Sequence, residues 1–140
     1  MTSTNHDQSA SDPLESLLID STAVNRAEIA QALKDIVAID SKTGVVVFRH
    51  GSKGLAAREK VLAYLLGRKV SYLLDRIEIE GATPKTIIEE TGIASGTVHP
   101  TLKGLREDRL VAQDSDSGYL IAQHQIADAI GKLTKQGDSP

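Results

Sequence analysis

Cysteine and tryptophan are absent from these 140 residues, and the aromatics come to one Phe and three Tyr. Without cysteine the chain has no disulfide and no thiolate metal site, which suits an intracellular protein. With so few aromatics, Leu, Ile, Val and Ala must build the core, and no aromatic-lined pocket for a small ligand is evident. No apolar run approaches the roughly 20 residues of a membrane-spanning helix. The first residues also lack the basic and apolar regions of a signal peptide, so no membrane partner and a cytoplasmic location are expected, nucleoid-associated if the chain binds DNA. A basic excess is missing too, since 16 Lys+Arg stand against 19 Asp+Glu for a net charge of −3.

That balance speaks against nucleic acid, but its distribution softens the objection. Asp7, Asp12, Glu15 and Asp20 lie in residues 1–20 without a Lys or Arg, which leaves about +1 for the remainder. Between Lys42 and Lys69, seven basic residues (Lys42, Arg49, Lys53, Arg58, Lys60, Arg68, Lys69) face only Glu59. A local excess of this kind neutralises phosphates. The alternative is a solvated basic surface balanced by Glu78, Glu80, Glu89 and Glu90.

With 40% hydrophobic residues and no long linker, one integrated domain is expected. Residues 1–12 are polar and read as a disordered tail. Residues 13–50 read as an N-terminal extension of helix and β-hairpin. In it, Leu14, Leu17, Leu18 and Ile19 suggest a short helix docked on the body. Asn25 and Glu28 have capping-box spacing and would open a helix with Ile29, Leu33, Ile36 and Val37 on one side. Val37–Asp40 and Val45–Phe48 around Ser41-Lys-Thr-Gly44 read as a hairpin.

Residues 51–134 form the second region, and 135–140 a tail. Leu55–Leu74 is its strongest helix. Leu55, Val61, Leu62, Leu65, Leu66, Val70, Leu73 and Leu74 cover more than one stripe. A second apolar side must therefore meet the N-terminal segment or another subunit. A homodimer through the N-terminal region and this helix is the partner expected on that ground. Ile126, Ala129, Ile130 and Leu133 mark a final amphipathic helix.

Thr83 to Ile121 carries most of the functional information. Thr83 can cap a helix whose first position is Pro84, where proline's missing amide proton costs nothing. Ile87 and Ile88 give this helix a buried side, and Gly92 sits where a left-handed C-terminal residue is wanted. Ile93 plugs the turn. Ser95 is a candidate cap for a second helix, with Val98, Leu102 and Leu105 at steps of four and three. Pro100 falls in its second turn, so either the helix starts later than Ser95 or its first turn is loosened. Leu110–Gln113 and Tyr119–Ile121 flank a turn-forming Asp114-Ser-Asp-Ser-Gly118 and read as a hairpin.

Ala94-Ser-Gly-Thr-Val-His-Pro-Thr-Leu-Lys-Gly-Leu-Arg-Glu-Asp-Arg-Leu-Val111, followed by Gly118-Tyr-Leu, resembles the recognition-helix and wing region of winged helix-turn-helix regulators. The PadR and MarR types and related archaeal regulators are the nearest likeness, over roughly Leu55–Leu133. In the PadR type an aromatic commonly precedes the Pro; here His99 does. The resemblance implies a mainly α fold with small β-hairpins, a winged helix-turn-helix preceded by the helix-hairpin extension. It implies double-stranded DNA as partner, transcriptional regulation as function, and no cofactor, metal or catalysis. The second helix would enter the major groove N-terminal half first. Gly96, Thr97, His99 and Thr101 would then lie nearest the bases. Lys103 and Arg106 would reach bases or phosphates, and Thr83, Lys85 and Ser95 the backbone. Arg49, Lys53 and Arg58 would add phosphate contacts. The tip Ser115–Ser117 lies between Asp114 and Gly118, includes Asp116 and has no Arg or Lys. A wing inserting beside phosphates is therefore not expected. The acidic wing also keeps open a second reading, a protein-interaction module serving as adaptor or structural subunit of a larger complex.

Two other motifs are weaker. Val45-Val-Val-Phe-Arg49-His50-Gly51 resembles the opening of histidine phosphatases, but only 89 residues follow Gly51 and that fold needs a larger α/β domain. Asp114-Ser-Asp116-Ser-Gly118 has calcium-loop spacing, but its twelfth position is Gln125 rather than Glu.

Overall fold

The computed structural model describes residues 12–116 and 118–137. The chain is mainly helical, with two small antiparallel hairpins. Among the described residues the elements run α1 (Ser21–Leu33), β1 (Val37–Ile39), β2 (Val46–Phe48), α2 (Ala57–Leu73), α3 (Pro84–Thr91), α4 (Ser95–Glu107), β3 (Ala112–Gln113), β4 (Tyr119–Leu120) and α5 (Ile126–Gly137). The tail expected over residues 1–12 lies, apart from Asp12, outside the described residues.

The long helix α2 is the centre. Residues 61–67 are buried without interruption, because the apolar side chains spill over more than one stripe and each stripe finds a neighbour. α1 and the β1–β2 hairpin pack on it from the N-terminal half of the chain. α3, α4, β4 and α5 pack on it from the C-terminal half. The second apolar side is therefore covered within one chain. β2 crosses so closely that a Cβ on Gly67 would fall 2.9 Å from a Val46 methyl. Val37 pairs with Phe48 and Ile39 with Val46 in the expected first hairpin.

Several local expectations need correction. Residues Pro13–Leu17 form a 3-10 turn capped by the Asp12 side chain, but it does not dock: Leu14, Leu17, Leu18 and Ile19 are all exposed. α1 starts at Ser21, so Asn25 and Glu28 lie inside it rather than at its entry; once nucleated, a helix gains a hydrogen bond for each residue added. It ends at Leu33, leaving Ile36 to the turn and Val37 to β1. Leu55 precedes α2, whose N-cap is Ala56. The C-terminal helix continues through Lys135–Gly137, where a tail was expected.

α3 follows its local rules, while α4 departs from them at its cap and at Pro100. Thr83 Oγ1 accepts from the Thr86 amide at 3.3 Å, with Pro84 in the first turn. Gly92 closes α3 in the left-handed region at φ 76. The cap of α4 is Ala94, which offers no side-chain hydrogen bond, and Ser95 is already helical. The helix then continues through Pro100, so the later start is ruled out. Val98, Leu102 and Leu105 are its buried side. After Asp108, Arg109 turns left-handed at φ 61 and the Leu110 amide reaches back to Leu105 O at 2.9 Å. That closure of the helix end aims the chain into the second hairpin.

Candidate nucleic-acid interface

Burying Val98, Leu102 and Leu105 against the core forces the opposite side of α4 outward. Gly96, Thr97, His99, Pro100, Lys103 and Arg106 are exposed there, and Ser95 beside them. Thr101 is half-buried and sits on the flank, farther from the outer face than its expected role near bases requires. A Cβ on Gly96 would meet nothing within 4 Å. Packing within the chain therefore does not explain glycine in the first turn of a helix, where it is a poor former.

The remaining expected residues divide. Thr83 spends its hydroxyl on capping α3, and Lys85 is exposed one residue past Pro84. Arg58 pairs with Asp108 at the end of α4, and Arg106 Nη1 donates to Gln113 Oε1 on β3. These two guanidiniums thus frame the C-terminal half of the α4 face. Arg49 is tied elsewhere: its Nη1 donates to the Lys34 carbonyl at 3.0 Å, beside the α1–β1 connection. Lys53 is exposed in the β2–α2 connection.

Much of the basic run between Lys42 and Lys69 holds the fold. Arg68 donates to three successive carbonyls, those of Ile79 (2.8 Å), Glu80 (2.9 Å) and Gly81 (3.2 Å). Lys69 Nζ lies 2.8 Å from Glu80 Oε2 with both side chains nearly buried. That oxygen has no aligned hydrogen bond, so the contact is an ion pair held by proximity. Glu90 takes the Tyr64 hydroxyl at 2.6 Å, and burial followed by that carboxylate raises the Tyr64 pKa. The Arg68 and Lys69 contacts clamp residues 79–81 onto α2, and the Tyr64–Glu90 bond ties α3 to it. Ala82 then exchanges two backbone hydrogen bonds with Tyr119, at 3.0 and 2.8 Å. This third strand-like partner of the second hairpin was missed in the sequence, although the alternation Ile77-Glu-Ile-Glu80 just before it has the period of a strand.

The carboxylates of the second hairpin are not equivalent. Asp114 Oδ1 accepts the amides of Asp116 (2.9 Å) and Gly118 (2.8 Å), and the side chain builds the turn. Asp116 is exposed, while Ser117 lies outside the described residues. The acidic tip thus amounts to one outward carboxylate rather than two.

The weaker motifs have packing explanations. A Cβ on Gly51 would fall 2.1 Å from Asp35 O, so glycine follows Arg49-His50 because backbone passes there. Among the described residues no group of three His, Asp or Glu side chains could hold a metal ion, and no helix is long and apolar enough to cross a membrane. No family model matches the chain, and neither a curated protein nor a solved structure matches it.

Proposed function

We propose that this chain is a winged helix-turn-helix protein that binds double-stranded DNA through the exposed face of α4, as a sequence-specific transcriptional regulator. The observation that carries the reading is Gly96. It leaves an unobstructed entry at the N-terminal end of a helix whose outer face bears Thr97, His99, Lys103 and Arg106. The tight α3–α4 turn at Gly92, the hairpin after α4 and its Ala82 partner support the winged-helix reading. Thr97 and His99 offer donors and acceptors to base edges, and Lys103 and Arg106 cations to bases or phosphates.

A second reading is favoured by specific residues. Glu107 and Asp108 end α4, and the second hairpin has no Lys or Arg from Ala112 to Leu120. A protein-binding module would use the same α4 face against a partner chain, as adaptor or structural subunit.

Duplex titrations at several salt concentrations separate the two. DNA binding predicts a log–log slope that Lys103→Ala with Arg106→Ala reduces by about 1.8, roughly 0.9 for each phosphate no longer neutralised. A folded protein with no duplex affinity at low salt sinks the DNA reading and leaves the adaptor.

A further inference from the structure

Leu14, Leu17, Leu18 and Ile19 are 70 to 76% exposed. So many large apolar side chains within six residues form a patch that soluble monomers seldom display. The same chain carries a matching concavity. Between α1, β1 and the last turn of α2 lies an apolar groove of about 360 Å³, walled by Ile29, Leu33, Val37 and Val70. Arg26 and Lys34, both exposed, also line it.

We propose that the Pro13–Ile19 segment of one copy seats in this groove of a second copy, and reciprocally, making a segment-exchanged homodimer. Leu14 and Leu17 lie one turn apart on the same side of the 3-10 turn, Leu18 follows in extended backbone, and the turn is already capped by Asp12, so the leucines form a short preformed anchor for a groove. Charge favours the fit, since Asp12 and Glu15 flank the leucines while the groove brings Arg26 and Lys34. The hinge favours exchange over self-docking. Only Leu18–Asp20 separates the 3-10 turn from α1, with no glycine among them, and Leu18 is extended at φ −77, ψ 138. A short hinge that resists reversal on its own helix promotes exchange between copies. Two-fold symmetry makes each seat twice. The exchange does not depend on what α4 binds.

Sedimentation equilibrium of the full chain is expected to give twice the 15.0 kDa chain mass. Replacing exposed Leu14, Leu17 and Leu18 together by Ser raises the dissociation constant by about a hundredfold or more. Ala30→Glu, at an exposed position in the groove lining, weakens the dimer from the other side. Mixing these two variants restores association, because the mixed pair keeps one intact segment and one intact groove. The native chain has no cysteine, so Leu17→Cys with Ala30→Cys tests the contact directly by giving a covalent dimer on a non-reducing gel. A monomeric wild type, a dimer indifferent to both variants, failure of the mixture to associate, or a disulfide closing within one chain overturns the proposal.

Discussion

Gly96→Ala separates what α4 does for the fold from what it does for a ligand. Gly96 is the second residue of a 13-residue helix, and a Cβ there would meet nothing within 4 Å. The methyl therefore displaces no neighbour, and helix propensity alone sets the stability change, a gain of about 0.5–1 kcal/mol. For a chain of this length that raises Tm by about 2–5 °C, readable by circular dichroism at about 222 nm. On the binding side the methyl projects into the entry that Gly96 leaves open. Duplex affinity by fluorescence anisotropy should fall at least about tenfold, equivalent to about 1.4 kcal/mol. A stabilised variant with unchanged DNA affinity would refute docking through the first turn of α4. A variant no more stable than wild type would refute the open-space argument itself.

Gly51→Ala is expected to cost about 1–3 kcal/mol, because its Cβ would fall 2.1 Å from Asp35 O and backbone has to move; urea denaturation should show a lower midpoint at unchanged slope. Asp40 accepts the Lys42 and Thr43 amides, which lower its pKa below the ordinary 3.8. A depressed carboxylate stabilises the fold above its unfolded pKa, and the contribution is lost as pH falls through the folded one. Asp40→Asn should therefore be less stable than wild type at neutral pH, and the difference should vanish in acid. A difference that persists at the lowest pH where both still fold would contradict the assignment.

Legibility in the sequence followed the range of each interaction. Thr83-Pro84 and Gly92 were readable because capping and a left-handed terminus depend on a few adjacent residues. The Leu and Val excess of α2 announced burial on more than one side. It could not say whether the covering came from the same chain, and α1 with the first hairpin supplies it. The Ala82–Tyr119 pairing joins residues far apart in sequence and involves too few residues for any periodicity. Charge counting failed for Arg68 and Lys69, since a basic residue clasping carbonyls or a buried carboxylate reads the same as one facing solvent. Asp114 failed likewise: as a phosphate repeller or as a turn-builder it is the same letter, and only its two amide bonds decide. On α4, the outward placement of Gly96, His99 and Lys103 was legible from the buried triplet Val98, Leu102 and Leu105, while the engagement of Arg58 and Arg106 was not.

The unbroken burial of residues 61–67 has a consequence for how the molecule comes apart. Elements from both halves of the chain rest on the same stretch of helix, with β2 seated at Gly67 and the 79–81 segment clasped by Arg68. Neither half can loosen without baring a surface that the other also needs. The backbone amides of this stretch should therefore exchange with solvent only when the whole chain unfolds, whereas the exposed first turn of α4 opens on its own.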